Sequence, residues 1–77
     1  SPELLVEVKE NYKEIIEAID SLKEKQKTAF ILRYLRDFSY KEIGKIMGIS
    51  QEAAKMKVQR AKSALAQRIL NMGRKGD

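Results

Sequence analysis

Between residues 39 and 50 the sequence opens a helix, closes it and opens another, which leaves the chain few folds to choose from. Ser39 with Glu42 has the form of a capping box, in which side chain and backbone satisfy each other's donors at a helix start. Gly48 can take the left-handed conformation that ends a helix, Ile49 is an apolar plug for the turn, and Ser50 caps the next helix. A short helix, Tyr40 to Met47, with Ile43, Ile46 and Met47 facing inward, is thereby joined through a tight turn to a longer one.

The same reading extends toward both termini. Leu4, Leu5, Val8, Tyr12, Ile15, Ile16 and Ile19 recur at the three-four spacing of an amphipathic helix over residues 2–20. Ser1 can cap it, and Pro2 sits where a missing N–H costs nothing. Ser21 with Glu24 repeats the capping-box form and opens a second helix. Its Ala29, Phe30, Ile31, Leu32, Tyr34 and Leu35 are enough to bury more than one face, and Asp37-Phe38-Ser39 breaks it. The fourth helix should run from Gln51 to about Asn71 and stop before Gly73, with 73–77 a flexible tail. No stretch alternates as a strand does. The expectation is an all-α chain, one small four-helix domain over 1–77 with a C-terminal helix-turn-helix at 39–63.

At about 100° per residue, Ala54, Val58, Ala61 and Leu65 share one narrow arc of the last helix, its core face. The opposite arc carries Glu52, Met56, Gln59, Arg60 and Ser63, flanked by Lys55 and Lys62 on one side and Lys57 on the other. One acid, several cations and an amide suit the base edges of a DNA major groove. Arg60 can present its fork to guanine, Gln59 can pair with adenine, Met56 can meet a thymine methyl, and Lys55 can reach a guanine or a phosphate. Candidate backbone contacts are Arg33, Tyr40, Lys41, Gln51, Lys57 and Lys62, aided by the N–H groups at helix starts. Each also has a plain reading as solvated surface or, for Tyr40, as packing.

Charge bears on the partner class. Residues 1–20 hold six acidic and two basic side chains, whereas 21–77 hold fourteen basic and five acidic. The chain is thus an acidic first helix followed by a basic remainder, a pattern that fits a nucleic-acid footprint and equally a solvated, lysine-rich surface. Cysteine and histidine are both absent, so disulfides, thiolate metal sites and the usual general base are not available. No enzyme, cofactor or metal is expected. With no run of some twenty apolar residues, neither is membrane insertion, and a cytoplasmic location is the default. The chain opens on Ser1 in place of methionine, so a fragment of a longer protein is expected.

The stretches Leu32-Arg33-Tyr34-Leu35, Phe38-Ser39-Tyr40-Lys41-Glu42-Ile43-Gly44, Met47-Gly48-Ile49-Ser50 and Lys55-Met56-Lys57-Val58-Gln59-Arg60-Ala61-Lys62 together resemble region 4 of bacterial sigma factors, most of all the extracytoplasmic-function group. The likeness covers residues 12–70. It implies a four-helix domain binding the minus-thirty-five element of promoters as part of RNA polymerase holoenzyme. It further implies docking on the polymerase β-subunit flap and masking by an anti-sigma factor. Positions matching Lys55, Met56, Gln59 and Arg60 face bases in that family, and those matching Arg33 and Tyr40 touch the backbone. Glu52-Ala53-Ala54 stands where the family has Gly-Thr-Val, and Lys23 where a helix-starting proline is usual. The competing readings are a helix-turn-helix regulator of the response-regulator output type and a protein-interaction module without DNA binding.

Overall fold

The computed structural model describes the backbone of residues 2–74 and the side chains of residues 2–3 and 10–71. Four helices follow one another: α1 (Pro2–Asp20), α2 (Glu24–Tyr34), α3 (Tyr40–Met47) and α4 (Gln51–Arg74), with no strand among the described residues. The all-helical expectation therefore holds. The expected cap Ser1, the apolar positions Leu4, Leu5 and Val8, and tail residues 75–77 lie outside the described residues.

α4 is the spine. Its predicted core arc is buried throughout, with Ala54, Val58 and Ala61 fully enclosed and Leu65 nearly so. Ala29 of α2 and Ile43 of α3 close on Ala54 and Val58, with Leu32, Phe38, Tyr40, Met47 and Ile49 packed around them. One turn further along α4, Ala61 and Leu65 meet Ala18 and Leu22, with Ile19 and Phe30 alongside. Burying Ile43 and Val58 completely contributes about 1.5–3 kcal/mol each. The last turn of α1 thus joins the core on the side of α4 that carries Ala61 and Leu65.

Helix starts account for two of the sequence expectations and correct a third. Ser39 Oγ accepts the Glu42 N–H while Glu42 Oε1 accepts the Ser39 N–H, both at 3.1 Å, completing the capping box. Ser50 Oγ accepts the Ala53 N–H at 3.0 Å. Ser21 behaves differently. Its hydroxyl donates to the Ala18 carbonyl at 2.7 Å, closing α1, and Lys23 is the N-cap of α2 with no side-chain cap bond. Burial of Leu22 in the core fixes the turn, leaving Ser21 beside the C-terminal carbonyls of α1 rather than an amide of α2.

Helix ends and faces bring further corrections. α4 does not stop before Gly73 but continues to Arg74, because a glycine costs a formed helix only about 1 kcal/mol. Gly73 and Arg74 therefore belong to the helix and not to a tail. Ile46, expected inside, is 54 % exposed. Ile43, Gly44 and Met47 form the inward sector of α3, and Ile46 falls about 110° from its middle. Tyr34 and Leu35 are likewise exposed, as are Tyr12, Ile15 and Ile16 of α1, so the apolar faces of α1 and α2 are only partly covered.

Candidate nucleic-acid interface

The turn between α3 and α4 is built as its sequence suggests. Gly48 ends α3 with φ 70° and ψ 35°, the left-handed region that glycine enters freely. Gly48 and Ile49 both donate to the Gly44 carbonyl, and half-buried Ile49 packs on the core around Ile43. Gly44 itself is buried, a feature the periodicity alone did not flag.

This turn holds α4 with its polar arc outward. Glu52, Lys55, Met56, Gln59, Arg60, Lys62 and Ser63 are all exposed, and Lys57 is half-buried. The four expected base readers, Lys55, Met56, Gln59 and Arg60, therefore occupy one open surface. Met56 is 48 % exposed, an apolar side chain left among polar neighbours. Lys62 leans toward α2, its Nζ 5.8 Å from the centre of the Tyr34 ring, within cation–π range.

Three of the six phosphate-facing candidates, Tyr40, Lys41 and Gln51, sit at the two helix starts, while Arg33 is in the last turn of α2 and Lys57 and Lys62 lie within α4. Lys41 and Gln51 are exposed and Tyr40 is half-buried. The caps take the amides of Ser39, Glu42 and Ala53, and the next amides, of Ile43 and Ala54, bond back to the carbonyls of Ser39 and Ser50. Among the described hydrogen bonds, the N–H groups of Tyr40, Lys41, Gln51 and Glu52 have no partner, which makes them donors for an anion. Arg33 is half-buried; its Nη1 donates to the Phe38 carbonyl at 3.1 Å and its guanidinium lies 4.7 Å from the Tyr40 ring centre. No sequence signal pointed to the Phe38 partner, since a backbone acceptor in a loop leaves no trace in residue type.

No group of three or more His, Cys, Asp or Glu side chains is placed to hold a metal ion among the described residues. No helix among them is long and apolar enough to cross a membrane. A capped short helix, a glycine turn and a longer helix with a cationic outer arc define a helix-turn-helix DNA-binding domain. The family model for sigma-70, region 4 matches residues 12–65, and the chain belongs to that family. Region 4 is the domain with which sigma factors bind the minus-thirty-five promoter element as part of RNA polymerase; it is not an enzyme. No individual curated protein matches the chain.

Proposed function

We propose that this chain is the promoter-reading end of an extracytoplasmic-function type sigma factor, one domain of a longer protein working where promoter DNA is, in the cytoplasm. The observation that carries the reading is the open polar arc of α4, opposite a fully buried one and flanked by unpartnered amides at two helix starts. Arg60 pairs with the two major-groove acceptors of a guanine, Gln59 with an adenine, Met56 with a thymine methyl, and Lys55 with a guanine or a phosphate. Tyr40, Lys41, Gln51, Lys57 and Lys62 hold the phosphates on either side, and Arg33 stands on the same flank.

The polymerase β-flap, or an anti-sigma factor in its place, docks on the incompletely covered face of α1 and α2. Support comes from an open groove of about 270 Å³ between these helices, lined by Ile16, Ile19, Ile31 and Leu35 with Glu17, Asp20 and Lys27 at its edge. Its lining is mostly apolar, and the exposed Tyr12, Ile15 and Tyr34 of the same two helices add to the uncovered apolar surface.

Binding to duplex DNA across a salt series tests the reading. Neutralising about five phosphates gives a log–log slope of roughly −4 to −5. Arg60→Ala should cost about 1–3 kcal/mol on the best site and relax preference at one base pair, whereas Lys41→Ala should weaken all sequences about equally. A flat salt response would sink DNA binding, and an unchanged Arg60→Ala variant would sink the choice of reading face.

A further inference from the structure

The cations on the phosphate-facing flank are not alike. Lys41 and Lys62 are exposed and Lys57 is half-buried, whereas half-buried Arg33 is held at two points, by a hydrogen bond and by a ring. Its two partners, the Phe38 carbonyl at 3.1 Å and the Tyr40 ring at 4.7 Å, bracket Ser39, the N-cap of α3. The segment it spans includes Asp37 at φ 59°, a left-handed conformation that aspartate enters more readily than most L residues. One side chain from the last turn of α2 thus reaches both sides of the point where α3 begins, beyond the backbone bonds from Arg36 to Ile31 and from Phe38 to Leu32 that close the loop itself. The guanidinium suits this task, since it is planar and its donors stand in a rigid fork, whereas an ammonium is a compact charge on a flexible stem.

We propose that Arg33 is a positioning residue for DNA binding. It holds the Tyr40 ring and the free amides of Tyr40 and Lys41 in place against the phosphate backbone, acting through them and not through its own charge. The proposal rests on the reading in which the start of α3 faces phosphate.

Salt slopes separate position from charge. Binding of one duplex carrying a preferred site is measured against salt for the wild-type chain, Arg33→Lys and Arg33→Gln, with thermal melts to confirm that each is folded. Both variants should weaken binding on the order of tenfold with the wild-type slope retained, because neither keeps the rigid fork that joins the Phe38 carbonyl to the Tyr40 ring. If Arg33→Lys binds like wild type, or Arg33→Gln lowers the slope by about one, the side chain is a phosphate contact and the proposal falls. On a Tyr40→Leu background, Arg33→Lys should cost much less than it does alone; full additivity overturns the proposal. The folded free chain offers an independent reading, since Arg33→Lys should shift the Tyr40 ring resonances, and unchanged resonances count against it. A flat wild-type salt response would instead remove the DNA-binding reading itself, so the two failures are distinguishable.

Discussion

A methyl group placed on Gly44 would lie 2.7 Å from the carbonyl oxygen of Ile49, closer than a Cβ can approach backbone. The glycine is therefore what lets α3 lie against the turn that launches α4. Gly44→Val adds branching to that overlap and forces the turn away, costing about 1–3 kcal/mol of stability by urea or thermal unfolding. DNA affinity should fall as well, since the turn sets the angle of the reading helix.

Lys23 occupies the N-cap of α2 with φ −58° and ψ 143°, which are dihedrals a proline adopts without strain. Its N–H has no partner among the described backbone bonds. Lys23→Pro should therefore stabilise the chain by about 0.4–1 kcal/mol, mainly by restricting the unfolded state. A lower melting temperature in the proline variant would show that the turn after α1 needs the freedom lysine gives it.

Acid should loosen the fold through two carboxylates. The Ser39 backbone N–H, then its hydroxyl, holds the Glu42 carboxyl below its ordinary value of 4.5. The hydrogen bond and charge of Lys27 do the same for Asp20. Carboxylates with lowered folded values contribute fully above their unfolded values and lose that contribution as pH falls through the folded ones. Pairing with Asp20 raises Lys27 above 10.5, chiefly through the hydrogen bond between them, so the contact is lost in acid through Asp20 and in strong base through Lys27. With no histidine in the chain, the melting temperature should stay level near neutrality and drop in acid. The drop should be shallower in a Glu42→Gln, Asp20→Asn double variant.

The apolar groove offers a separable test. Ile16→Asp and Leu35→Asp place charge on a surface that is already 44 % and 60 % exposed at these residues, so the fold should tolerate them. Binding to an isolated polymerase β-flap should be lost while DNA affinity changes little. Equal flap binding by wild type and variants would move the partner site elsewhere.

The helix-turn-helix was readable because its signals are local. Ser39, Glu42, Gly48 and Ser50 act within a few residues of themselves, and each cap formed as its residue type allows. The core arc of α4 was readable because one helix period suffices to place Ala54, Val58, Ala61 and Leu65. Tertiary packing decided what remained. Ser21 has the form of a cap, but Leu22 beside it had to reach the core, so the hydroxyl turned back to Ala18. Ile46 looks like a core residue until Gly44 shows how far α3 rolls against the turn. Of the candidate site, the exposed surface was legible in residue types, while the hold of Arg33 on Phe38 and Tyr40 depends on a loop conformation that no pattern encodes.

α1 and the turn after it join the core through Ala18 and Leu22 against Ala61 and Leu65, on the arc of α4 turned away from Met56 and Ser63. The last turn of the most acidic helix, with Glu17 and Asp20, is therefore anchored on the face of α4 turned away from the cationic surface. Such a separation gives the domain a permanent electric axis, and a duplex exerts a torque on it before any atom touches. Encounters begin with the reading helix forward, so fewer collisions are wasted on the wrong face. Reversing the charge of α1 would then slow association more than it hastens dissociation, and added salt would erase the difference.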